Sequence, residues 1–197
     1  MGYGCIGRQV ARVATALGMD VYAFTHRERP TPESRRDESF TEKGLGDPEG
    51  AFPSKWFHGN TPEAINEFLS QDLDLLVLCM PLTDLTRHMI SAPQFQILSK
   101  KKAYVSNIGR GPIINTPDLI DALDQGLIRG AALDVTEPEP LPKESPLWLK
   151  KNVIITPHVS GNSTRYNERV LGILKYNLKR MSEGKGLVNV VDRKLGY

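Results

Sequence analysis

Hydrophobic positions follow two alternating patterns along this chain. Val10, Val13, Ala14 and Leu17 share one stripe of a helical wheel, and Gly18 follows as a stop. Residues 21–25 then read as a short buried strand. Residues 73–80 form a continuous apolar strand closed by Pro81, and residues 103–108, 130–135 and 153–156 read as further strands. Between them, Thr61-Pro62 and Thr116-Pro117 each place a capping hydroxyl before a first-turn proline. The first of these helices carries Ile65, Phe68 and Leu69, and the second ends at Gly126. Strands that are apolar without alternation are buried on both faces. Separated by helices, they predict βαβ units and a parallel sheet. Residues 163–183 predict a last helix with Val170, Leu174, Leu178 and Met181 on one stripe. The stretch 29–59 is rich in Pro, Gly, Ser and charge, which predicts a long irregular loop anchored by Trp56 and Phe57.

Composition narrows the function classes. With 40% hydrophobic and 24% charged residues in 197, the chain has the make-up of a globular protein with a sizeable core. Its net charge of +2 is dispersed, and Lys100-Lys101-Lys102 reads as a solvated turn, so nucleic acid is not an expected partner. The longest apolar run, 75–82, is far shorter than the roughly 20 residues a membrane helix needs. A charged-then-apolar leader is not seen at residue 1, so the expected location is cytoplasmic, with no membrane partner. Cys5 and Cys79 offer neither a disulfide framework nor a metal-ligand spacing, and no metal is expected.

Four segments carry chemistry. In Gly2-Tyr-Gly4-Cys-Ile-Gly7, one glycine allows a tight turn, one lets backbone approach a pyrophosphate, and one lets a helix pack closely on a sheet. A dinucleotide is the expected ligand. Cofactor choice is expected at the end of the next strand, Thr25-His26-Arg27, where an acid would bind ribose hydroxyls and repel a 2′-phosphate. A hydroxyl and a guanidinium there suit a phosphate dianion, so NADP(H) is preferred, with NAD(H) possible. Arg110, flanked by Gly109 and Gly111 after a strand, suits a 2-oxo carboxylate. His158 follows another strand end and has a candidate partner in Glu139. A carboxylate beside an imidazole fixes its tautomer and makes it a usable proton donor. His26, His58 and His88 lack such a setting and read as surface or loop residues. Asp134 ends its strand, where it could bond a nicotinamide amide or cap a turn.

With these residues in place, the chain resembles the D-isomer-specific 2-hydroxyacid dehydrogenases, and within them the fungal glyoxylate or hydroxypyruvate reductase-like branch. The resemblance rests on the glycine loop, Met80-Pro-Leu-Thr-Asp-Leu-Thr-Arg-His88, Ser106-Asn-Ile-Gly-Arg-Gly-Pro112, residues 130–140 with Asp134-Val-Thr-Glu-Pro-Glu-Pro140, and Ile155-Thr-Pro-His-Val-Ser-Gly161. It implies a catalytic trio of Arg110, Glu139 and His158, with Glu137 outside it. It also implies cofactor contacts from Gly4, Cys5, Ile6 and Gly7, from Thr25, His26 and Arg27, and from Pro81, Ile108, Asp134 and Gly161. Gly109 departs from the Ala or Ser more usual there, and Asn115 from an Asp.

The expected fold is therefore α/β: a Rossmann-type doubly wound parallel sheet lacking its first strand, with a C-terminal helix left from a substrate domain. Residues 1–161 would form the nucleotide domain, and residues 162–197 would pack on a substrate domain absent from this chain. The resemblance implies a small 2-oxo or 2-hydroxy acid as substrate, hydride transfer as the reaction, and a homodimer for the full-length parent, with turnover by the chain alone weak or absent. A non-catalytic nucleotide sensor or corepressor on the same fold is the alternative.

Overall fold

The structure, a computed structural model, describes residues 1–193. Its strands form two parallel sheets. In one, β1 (Val21–Thr25) pairs with β2 (Pro53–His58). In the other, β3 (Leu75–Leu78), β4 (Tyr104–Asn107), β5 (Gly130–Leu133) and β6 (Val153–Ile155) lie side by side in chain order. The helices are α1 (Cys5–Ala16), α2 (Pro32–Arg35), α3 (Pro62–Leu69), α4 (Ala92–Leu98), α5 (Thr116–Asp124) and α6 (Tyr166–Ser182). Because every pairing is parallel, the carboxyl ends of β3 to β6 fall along one edge, where open α/β sheets hold their ligands.

The two sheets are separated between β1 and β3. Met1 and Gly2 reach into the gap and bond both sides. The Met1 ammonium donates to the Val77 carbonyl at 2.7 Å. Cys79 N–H donates to the Met1 carbonyl at 2.9 Å, and Gly2 N–H to the Phe24 carbonyl at 3.0 Å. Beyond them lies an open cleft of about 400 Å³, lined by Val10 and Ala14 of α1, Val21 and Ala23 of β1, and Leu75 of β3.

This cleft corrects the reading of α1. The stripe expected to be core faces it or solvent, with Val13 51% and Leu17 75% exposed. The buried positions of α1 are Gly7, Arg8 and Ala11 instead. Periodicity reports which face of a helix is apolar, and that face buries only if something fills the space before it.

Residues 29–59 hold more order than expected. Pro53–His58 is a strand, in parallel register with β1 from Val21 to Thr25, and α2 forms one capped turn within the same stretch. The anchoring role of Trp56 and Phe57 holds: Trp56 packs edge-on against Tyr3, and Phe57 against Phe68 of α3. Full burial of a side chain such as Phe68 contributes about 1.5–3 kcal/mol. Helix α4, unread in the sequence, packs Phe95 and Leu98 into the main core.

Thr61 caps α3 as expected, its hydroxyl accepting from Ala64 N–H. At α5 the cap is Asn115, whose side chain accepts from Asp118 N–H at 3.1 Å. Thr116 is already helical, and its hydroxyl donates instead to the Glu137 carbonyl at 3.0 Å. Helix α6 is tied on by Phe40 against Tyr176 and by Glu42 facing Arg165 and Arg169. Its stripe of Val170, Leu174, Leu178 and Met181 stays about half exposed.

Candidate active site

The glycine loop divides its labour as its sequence implies. Gly2 has φ +85°, a conformation that L side chains rarely adopt. A Cβ on Gly7 would lie 2.1 Å from the Gly2 carbonyl oxygen, so only glycine lets α1 begin this close to the turn. Around Gly4 there is open space, and as the N-cap of α1 it supplies no side-chain cap. The first N–H groups of α1 and the positive end of its dipole therefore face an open approach, which fits a pyrophosphate. Cys5 and Ile6 are exposed beside it.

Behind this loop sits Arg8, 2% exposed, which the sequence did not single out. Its guanidinium donates to the carbonyls of Asp47 and Arg35 and lies 3.6 Å from Asp37. The Tyr3 hydroxyl donates to Asp47 at 2.7 Å. Burial, and then the Asp47 carboxylate, push the Tyr3 phenol far above its ordinary range. One buried arginine thus fastens the 35–47 segment under the start of α1.

Past β1, the Thr25 side chain is buried and its hydroxyl donates to the Arg27 carbonyl at 2.7 Å. His26 and Arg27 are exposed. Arg29 is partly buried and donates to the Ser34 carbonyl, and burial is the main cause lowering its pKa. Of the basic residues here, His26 and Arg27 are the exposed ones, while Arg29 shapes the loop.

Four predicted positions lie just past strands of the larger sheet. Pro81 is exposed beyond β3, and Ile108, beyond β4, donates its N–H to the Leu78 carbonyl. Gly161 is exposed beyond β6 with open space around it. Arg110 stands after β4 in a loop stapled by Asn107, a residue 1% exposed. The Asn107 amide donates to the Arg110 carbonyl at 2.9 Å, and its oxygen accepts from Gly109 N–H at 3.1 Å. A Cβ on Gly109 would lie 2.7 Å from the Met80 carbonyl oxygen, so the departure from Ala or Ser matches tight packing of this loop on Met80. The Arg110 side chain is exposed and donates to the Gly109 carbonyl.

Asp134, after β5, is the keystone of the turn that carries His158. Its carboxylate accepts from the Thr156 hydroxyl at 2.6 Å and from the Ser160 hydroxyl at 2.6 Å. It also accepts from the N–H groups of Val159 and Ser160. Burial alone would raise the carboxyl's pKa, but these hydrogen bonds outweigh it and hold the group far below the usual carboxylate range. Of the two roles the sequence allowed Asp134, the turn cap is the one these bonds display. His158 sits at the crest with φ +54°, and its N–H donates to the Asp134 carbonyl.

The expected pair is formed. His158 Nδ1 lies 2.6 Å from Glu139 Oε1. Against an ionised carboxylate, which only accepts, Nδ1 would carry the proton of this bond, and Nε2 is the ring's other nitrogen. Glu137, the other glutamate, pairs with His88 and Arg87 instead. A parallel α/β sheet, a glycine turn at a helix start, an arginine and a carboxylate-oriented histidine define a nucleotide-binding domain with acid–base equipment.

The chain belongs to the D-isomer specific 2-hydroxyacid dehydrogenase family, whose NAD binding domain model matches residues 53–160. It is 34% identical over 195 residues to a glyoxylate reductase of Aeropyrum pernix, covering 99% of this chain and 51% of that one. A glyoxylate/hydroxypyruvate reductase B of Enterobacter sp. (strain 638) is 46% identical over 103 residues, covering 51% of this chain and 32% of that one. Among solved structures, an NADPH-dependent glyoxylate/hydroxypyruvate reductase from Sinorhizobium meliloti in complex with NADP and sulfate superposes with a TM-score of 0.76. It is 29% identical, with 100% of this chain and 55% of that one covered. These curated relatives are matched over about half of their length or less.

Proposed function

We propose that this chain forms the cofactor-binding and proton-transfer half of an NADP(H)-preferring 2-oxoacid reductase, acting on a small substrate of the glyoxylate or hydroxypyruvate type. The observation that carries the reading is the 2.6 Å bond between His158 Nδ1 and Glu139, just beyond the sheet's carboxyl edge. A bound nicotinamide would supply the hydride. Arg110 would turn from the Gly109 carbonyl to grip the substrate carboxylate with two parallel hydrogen bonds. His158 would protonate the developing alkoxide from Nε2, while Glu139 holds the ring and stabilises the imidazolium. The pyrophosphate would rest on Gly4, Cys5, Ile6 and Gly7. Pro81, Ile108 and Gly161 would line the rest of the cofactor site. Asp134 would serve it through the turn it caps. Residues 1–161 are taken as the nucleotide unit. A homodimeric, cytoplasmic whole protein is proposed on the resemblance.

The NADP(H) preference is supported by the exposed Arg27, whose backbone the Thr25 hydroxyl fixes, and by His26 beside it. Titration of the chain with NADPH and then NADH, followed by nicotinamide fluorescence, tests it. Tighter NADPH binding is the expected result, and Arg27→Ala should weaken NADPH by about 10-fold or more while sparing NADH. Tighter NADH binding would refute the preference. Catalysis is tested by NADPH oxidation with glyoxylate and hydroxypyruvate. His158→Ala should remove any turnover without weakening cofactor binding.

A further inference from the structure

A second histidine–glutamate pair lies beside the first, two positions earlier in the same loop. His88 Nε2 is 2.6 Å from Glu137 Oε2, and Arg87 Nη1 donates to Glu137 Oε1 at 3.3 Å. Both carboxylate oxygens of Glu137 are thus taken by one turn. That turn is closed on itself, with Thr83 N–H donating to the Thr86 hydroxyl at 2.8 Å and Arg87 N–H to the Thr83 carbonyl. His88 ends it at φ +50°, its own N–H donating to the Pro112 carbonyl at 2.7 Å.

The surrounding contacts make three loops into one unit. Ile90 N–H donates to the Ile113 carbonyl, and Asn115 N–H to the Ile90 carbonyl, which stitches the 83–90 segment to the arginine loop. The Glu137 carbonyl accepts from the Thr116 hydroxyl. A Cβ on Gly111 would lie 1.8 Å from the Thr136 carbonyl oxygen, so the arginine loop and the glutamate loop touch backbone to backbone. Residue 137 is held from two sides. Glu139, two residues on, has a side chain 38% exposed and bonded to the His158 it must orient.

We propose that the Arg87–His88–Glu137 cluster is the positioning device of the acid–base pair: it fixes the loop from which Glu139 meets His158 Nδ1, and Glu137 and His88 are positioning residues. The inference rests on the proposed pairing of Glu139 with His158. Stability is a poor explanation for the cluster. Its side chains are 29 to 50% exposed, and exposed ion pairs add little to stability. Their effect lies in where the loop stands.

The test reads the His158 ring directly, by long-range ¹H–¹⁵N NMR of the whole chain at alkaline pH, where a neutral imidazole shows its tautomer. Single replacements of His26, His58 and His88 assign the signals. Glu139→Ala, which removes the acceptor, should abolish the excess of the Nδ1–H tautomer. Glu137→Gln and His88→Asn should each lower the tautomer ratio by about three- to fivefold, the worth of a partly exposed pair. Unfolding midpoints should hardly move. The exchanged pair, His88→Glu with Glu137→His, should restore the ratio. If Glu139→Ala acts but Glu137→Gln and His88→Asn leave the ratio unchanged, the positioning proposal is wrong and the catalytic reading survives. If Glu139→Ala itself changes nothing, the pairing reading fails and this proposal falls with it. A ratio lost in the single variants and not regained in the exchanged pair also overturns it.

Discussion

Asp134 shows how a single residue can matter without touching a reactant. Its carboxylate gathers four donors and builds the turn on which His158 stands. A carboxyl held below its ordinary 3.8 contributes stability that is fully present above that value and is lost as pH falls toward the folded-state pKa. Asp134→Asn should therefore cost about 1–3 kcal/mol at neutral pH. The deficit should shrink in acid, and urea unfolding at the two pH values checks both. At this scale the sequence spoke clearly where chemistry is rare: an arginine between glycines, a histidine after Thr-Pro, a glutamate between prolines. It was silent on Asn107, whose hydrogen bonds are to its own loop. It misread His88 as lacking a carboxylate partner, because that partner, Glu137, lies 49 positions away. Neighbouring letters cannot announce a contact of that range.

Helices and strands were legible where a local rule decides them and obscure where a distant surface does. Thr61 with Pro62 marked α3 because a cap and a first-turn proline are written side by side. The same logic at Thr116 missed by one residue, since Asn115 had the better-placed oxygen and Thr116 found a long-range acceptor. Asn115→Ala should lower stability by about 1 kcal/mol, the usual worth of a cap, as thermal unfolding would show. β2 carries Ser54, Lys55 and His58 and lacks a strand's look, and its pairing with β1 is what makes it one. The start of α1 is governed by space. Gly7→Ala would drive a methyl into the Gly2 carbonyl, so NADPH affinity should fall about 10-fold or more, measurable by the same fluorescence titration.

At the level of the molecule, the parallel architecture followed from the alternation of apolar strands with helices. The uncovered face of α1 did not follow, because its apolar stripe looks like a core stripe in the sequence, whereas the resemblance already left the stripe of α6 without a partner. The break between the two sheets bears on cooperativity. Two sheets joined by so few ladder bonds need not open together, although Phe24 and Phe57 both lean on Phe68. Amide protons of β1 and β2 should exchange with solvent through a smaller, cheaper opening than those of β4 and β5. The chain would then unfold in two steps, and the first would release the strand that ends at Thr25 while the loops of Arg110 and His158 remain in place.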